Sequence, residues 1–182
     1  MNFLYRHFAA VALTLATLAT GAEKTITKSK KASRKAAAHV HGSSELSLIA
    51  SGNDFSVSGA LPMDDVAGFE RAPRSEAERA ILKDAIDLIK AGKLVAPENT
   101  DCKLSDPKVF VDPAFDQSIT HYELDVDLAW HCSTPVVAIK VEGFNSFKNI
   151  NSLKFSVLNQ GKQTALSVKR SDQKTSITLP KK

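Results

Sequence analysis

The sequence predicts an α+β domain in which antiparallel β-sheet is covered by one main α-helix and tied by one disulfide. Three observations carry this expectation. Apolar and polar residues alternate with period two over several stretches parted by Gly- and Asn-bearing turns, the pattern of half-buried antiparallel strands. A single stretch, residues 75–92, has the three-to-four-residue apolar spacing of a long helix. The chain also holds two cysteines, Cys102 and Cys132.

A chain of 182 residues suits one domain plus a targeting segment, and is short for the larger barrel and doubly wound enzyme folds. Its first residues, MNFLYRHFAAVALTLATLATGAEK, set Arg6 before an apolar run from Phe8 to Leu18 and the small residues Ala19, Thr20, Gly21 and Ala22. That is the layout of a cleaved secretory signal, with an apolar core too short to span a bilayer comfortably. Residues 1–22 are therefore expected to be removed, and His7 with them. Residues 23–38 carry Lys24, Lys28, Lys30, Lys31, Arg34 and Lys35 but almost no large apolar side chain, so a flexible basic leader is expected there. Residues 39–182 form the domain. The formal charge of +4 comes from 24 cations and 20 acids. Setting aside Arg6, the six leader cations and Glu23 leaves 17 cations against 19 acids, so the domain is near neutral and its charge gives no reason to expect nucleic acid as a partner.

Export to an oxidising compartment would let Cys102 and Cys132 persist as a disulfide, closing a loop of about 30 residues. The rival reading, thiolate ligation of a metal, lacks the short paired spacing of zinc knuckles.

Taken in order, Glu45–Ala50 and Asp54–Leu61 alternate around Ser51-Gly52-Asn53 and predict a hairpin. Leu46, Leu48 and Ala50 fall on one face; extended backwards, the parity adds Val40 to that face and puts His39 and His41 on the polar one. Pro62–Ala67 allows only a short turn or helix, and Gly68–Pro73 reads as a loop. Ser75 and Glu78 have capping-box spacing; Ile81, Leu82, Ala85, Ile86, Leu88 and Ile89 make a broad apolar stripe, and Gly92 stops the helix. Strands follow at residues 101–111, 119–132, 153–158, 164–169 and 176–179, with one or two helical turns where Phe144, Phe147 and Ile150 recur at threes.

The strand 119–132 is the most informative. Tyr122, Leu124, Val126, Leu128, Trp130 and Cys132 share its apolar face, and His121, Glu123, Asp125, Asp127 and His131 the other. Residues two apart on one face lie about 6.6 Å apart, so His39 and His41 can converge on one cation. Ten residues of strand span roughly 33 Å, so at most one of His121 and His131 can join them. His121 is preferred, with a carboxylate such as Glu70 or Glu123 completing the set. Imidazole with carboxylate suits Zn(II), with Ni(II) or Cu(II) also compatible; Cu(I) would call for Met and Cys ligands, and Met63 is the one methionine after residue 22. Solvated polar faces are the bland alternative.

An enzyme is not expected. A barrel hydrolase with His-x-His needs about 250 residues. Metallo-β-lactamase-like hydrolases continue that motif with Asp-His, whereas Gly42-Ser43-Ser44-Glu45 follows here. No phosphate-cradling glycine loop, Ser-His-Asp motif or free Cys nucleophile is present.

Ala38-His39-Val40-His41-Gly42 before a hairpin, Gly68-Phe69-Glu70-Arg71-Ala72-Pro73 before a helix, Cys102-Lys103-Leu104, and a His121-Tyr122 strand ending in Cys132 together resemble the ZrgA-like zinc-regulated periplasmic proteins over residues 39–179. The resemblance implies a periplasmic zinc-binding protein of Gram-negative bacteria linked to zinc acquisition, buffering or delivery to an uptake transporter, with no transmembrane span in its mature form. By position, His39, His41 and His121 match family histidines, and Glu70 matches the acid of the loop before the helix. Two departures stand out: Arg71 occupies a position where the family usually has histidine, and the connection from Cys102 to His121 lacks a long histidine- and acid-rich insertion. Two functions follow as expectations. One is reversible zinc binding; the other is a metal-free cell-envelope interaction module that keeps the scaffold.

Overall fold

The computed structural model describes residues 40–99, 101–112, 114–116 and 118–180. The expected export signal, the basic leader and His39 lie outside the described residues. No helix among the described residues is long and apolar enough to cross a membrane.

The predicted hairpin forms from β1 (Ser43–Ser51) and β2 (Asp54–Pro62), turning at Gly52 with φ +59°. Leu46, Leu48 and Ala50 are buried as the alternation requires. Val40 departs from it and is 65% exposed, because the strand does not run back that far. The chain turns at His41 and Gly42, where Gly42 has φ +75° and the Ser43 N–H donates to the Val40 carbonyl at 3.0 Å. Gly42 is required by contact as well as by φ, since a Cβ there would lie 2.5 Å from Asn151 Nδ2.

Two helices follow, α1 (Met63–Ala67) and α2 (Glu76–Lys90). The Ser75 hydroxyl accepts from the Glu78 N–H at 3.1 Å, as capping predicts. The reciprocal half of the box is absent, because the Glu78 carboxylate accepts instead from Arg74 N–H at 2.6 Å and from Arg71. The buried stripe of α2 is also narrower than predicted. Leu82, Ala85 and Ile89 are buried, while Ile81 and Leu88 remain exposed, and the helix packs chiefly on α1 and β4.

The remaining elements are β3 (Val95–Pro97), β4 (Cys102–Asp112), β5 (Glu123–Cys132), β6 (Ala138–Val141), α3 (Gly143–Ser146), β7 (Ser152–Asn159), β8 (Lys162–Lys169) and β9 (Ser176–Thr178). With β1 and β2, these strands form a six-stranded sheet, β4-β5-β2-β1-β7-β8, and a three-stranded sheet, β3-β6-β9. The expectation of a purely antiparallel sheet is corrected by one pair: β1 and β7 run parallel, from Ser43 against Ser152 to Ala50 against Asn159. Val95, Ile139 and Val141 of the small sheet join the same buried cluster as Leu48, Val57 and Phe155 of the large one.

Cys102 and Cys132 form the expected disulfide as directly opposed residues of β4 and β5, with Cα atoms 3.9 Å apart. A register shift between Ser105 and Lys108, with Asp106 at φ +38°, inserts one residue into β4. The bulge lets even-numbered Cys102 and Leu104 and odd-numbered Val109 and Val111 face the same side. Strand β5 begins at Glu123, four residues later than residue 119, although Tyr122 is buried as its parity predicts.

Candidate metal centre

The site is built from the ends of three neighbouring strands. His41 lies in the turn just before β1, and Asp64 in the first turn of α1, directly after β2. In the β2–β5 pair, Pro62 faces Glu123, and two residues further on Asp64 is level with His121. The turn before β1, helix α1 after β2 and the approach to β5 thus bring two histidines and an aspartate to one end of the sheet.

Glu70 arrives by a separate route. The Tyr122 N–H donates to the Glu70 carbonyl at 2.9 Å, and the Tyr122 carbonyl accepts from Met63 N–H at 3.0 Å. These bonds hold the loop after α1 against the entry to β5. The Glu70 carboxylate then spans two rings: Oε2 lies 2.5 Å from His121 Nδ1, and Oε1 lies 3.3 Å from His41 Nδ1. Asp64 Oδ2 is a further 3.3 Å neighbour of His41 Nδ1. The rings are open to solvent, 65% exposed at His41 and 72% at His121, against 27% and 22% for Asp64 and Glu70.

The turn bearing His41 is anchored from below by Asp65, which is 1% exposed. Its carboxylate accepts from Gly42 N–H at 2.7 Å and from the buried Ser44 hydroxyl at 2.6 Å. Helix α1 therefore sends one acid to the imidazole and the next to the backbone beneath it. Neither acid was singled out from the sequence, since both lie in α1 and meet the His41 turn only once the chain has folded back.

Arg71, the departure noted in the sequence, pairs outside the cluster. Its guanidinium donates to both Glu78 oxygens, at 2.8 and 2.7 Å. This pairing, helped by the Arg74 N–H, holds the Glu78 carboxyl down at about 2, and Glu78 in turn raises the guanidinium.

The structure brings His41, Glu70 and His121 together. Glu123 opens β5 opposite Pro62 and Asp112. His131 sits at the far end of β5, its Nδ1 2.7 Å from Asp54 Oδ1. Imidazole and carboxylate are the donors zinc favours, and their exposure would let an ion enter and leave. Even so, among the described residues no group of three or more His, Cys, Asp or Glu has the geometry to hold a metal ion.

The sequence profile of a family described as ZrgA family zinc uptake protein matches residues 38–177. The chain belongs to the ZrgA family. Every described residue of the cluster falls within that match, and the family ties the protein to zinc uptake. No curated protein matches the chain.

Proposed function

We propose that this ZrgA-family member is an exported, periplasmic protein that binds zinc reversibly and passes it to, or buffers it for, an uptake transporter, acting by binding and not by catalysis. The observation that carries the reading is the Glu70 carboxylate lying between His41 and His121. It draws together two histidines from separate strands at a solvent-open sheet end, in a family of zinc uptake proteins. His39, two residues before His41 in the sequence, is the third histidine proposed for the set. Ni(II) and Cu(II) suit the same donors. The test is calorimetric titration of the zinc-free, oxidised protein with Zn(II), comparing wild type with the His39→Ala/His41→Ala double variant and with His131→Ala. Submicromolar binding that is lost in the double variant and kept in His131→Ala supports the reading. A folded wild type that takes up no zinc overturns it.

The second reading, a metal-free envelope interaction module, is favoured by the lack of a three-ligand group among the described residues. It requires that the double variant change nothing, and that deleting residues 24–35 alter which partners the protein retains.

A further inference from the structure

Every ring in the cluster meets its carboxylate through the same nitrogen. His121 Nδ1 faces Glu70 Oε2 at 2.5 Å, and His41 Nδ1 faces Glu70 Oε1 and Asp64 Oδ2, both at 3.3 Å. An ionised carboxylate has acceptor sites alone. A 2.5 Å approach between two lone pairs would be repulsive, so the contact favours a proton on Nδ1. A neutral imidazole carrying its proton on Nδ1 has its metal-binding lone pair on Nε2.

We propose that Glu70 and Asp64 are positioning residues for zinc and not zinc ligands: Glu70 fixes His121 and Asp64 fixes His41 as Nδ1–H tautomers, with both Nε2 atoms left to take the ion. The other Glu70 oxygen adds its charge beside the His41 ring. The proposal rests on the zinc-binding reading above and assigns its ligand atoms.

Three observations support it. Glu70 is held by its own backbone through the Tyr122 N–H and is far less exposed than either ring, as an orienting group should be. Asp64 is likewise fixed, its carbonyl accepting from Asn149 Nδ2 and from Gly68 N–H, both at 3.0 Å. Glu70 Oε2 and Asp64 Oδ2 are already committed to ring nitrogens. That commitment accounts for the missing three-ligand group among the described residues, because the carboxylates face the imidazoles and not a common point. A carboxylate behind a ligating histidine fixes the ring and raises its basicity. The His131–Asp54 pair has the same Nδ1 contact, but it holds one histidine, and Lys103 stands opposite it in the β4–β5 register, where its charge would repel a cation.

The test is long-range ¹H–¹⁵N NMR of the histidine rings in the full chain, zinc-free and zinc-loaded near neutral pH, together with zinc affinities of wild type and Glu70→Gln. The expected result is Nδ1–H tautomers at His41 and His121 without zinc. On loading, the resonance shifts should fall at Nε2 while the Nδ1 protons remain. In Glu70→Gln the charged acceptor behind His121 is lost while His41 keeps Asp64, so the tautomer preference of His121 alone should weaken and zinc affinity should drop about 10- to 100-fold. Nε2–H tautomers in the zinc-free protein, or zinc bound at Nδ1, would overturn the role given to Glu70 and leave zinc binding intact. Nδ1–H tautomers with no zinc-induced shift at either ring would overturn the zinc reading and Glu70's role with it.

Discussion

The Tyr122 N–H donates to the Glu70 carbonyl at 2.9 Å, so the residue that carries the bridging carboxylate is fastened to the neighbour of the histidine it bridges. Tyr122 is buried, and its hydroxyl bonds the main chain of Asp116 on both sides, accepting from the N–H at 2.6 Å and donating to the carbonyl. Replacing Tyr122 with Phe keeps the buried ring and the backbone bond and removes the phenol. A stability loss of about 1 kcal/mol is expected, with zinc affinity within about twofold of wild type. Urea unfolding and calorimetry on the same variant check both halves.

Asp65→Ala should be much more damaging. It leaves the Gly42 N–H and the buried Ser44 hydroxyl without their acceptor, at a cost of about 2 to 4 kcal/mol, and it frees the turn that presents His41. Asp65→Asn retains an acceptor for Gly42 and should lose less than half as much. Equal losses in the two variants would show that the carboxylate's charge, and not its acceptor geometry, holds the turn.

The Arg71–Glu78 pair sets a pH dependence with a definite sign. The Glu78 carboxyl is depressed to about 2, below the ordinary glutamate value of about 4.3. Its contribution to stability is therefore complete above about pH 4.3 and is lost as pH falls toward 2. Denaturant midpoints measured between pH 6 and pH 2 should fall less steeply for Glu78→Gln than for wild type. Parallel curves would exclude the linkage.

Reduction of Cys102–Cys132, which closes a loop with a sequence separation of 30, should cost about 3 to 4 kcal/mol in the chain-entropy description. The bond joins β4 to β5 at the end of β5 remote from His121, so the Cys102→Ser/Cys132→Ser variant should bind zinc as wild type does wherever it remains folded. Unfolding with and without reductant measures the first effect, and titration of the variant the second.

Much of this was legible in the residues. Alternation placed the inner faces of β1, β2 and β5 because each strand has one wet face, and a period of two then admits a single orientation. Ser75 and Gly92 marked the ends of α2 because capping is a local interaction. Non-local pairing was hidden. No local pattern in Ser43–Ser51 says that its second neighbour will be β7 in parallel, and Val95–Pro97 and Ala138–Val141 are too short for a periodic signal. Of the site, the histidines were visible as residue types, whereas Asp64 and Asp65 acquire meaning only from where helix α1 meets the turn at His41 and Gly42. The carbonyl contacts of the Arg170 guanidinium to Phe144, Phe147, Lys148 and Ile150 were equally invisible, since they depend on where the end of β8 passes α3.

The parallel pairing of β1 with β7 also sets the order in which this molecule can be completed. As the chain is synthesised, β1 and β2 emerge early and can close at once as a hairpin, but the other edge of β1 stays open until residues 152–159 exist. The turn carrying His41 is held by that same late segment, since the Gly42 carbonyl accepts from Asn151 and Ser152 N–H at 2.8 and 2.9 Å. Pairings this distant in sequence form slowly. Metal affinity should accordingly be among the last properties the chain acquires on refolding, after the helix and the hairpin, and an ion supplied during refolding would be captured by finished molecules in preference to half-built ones.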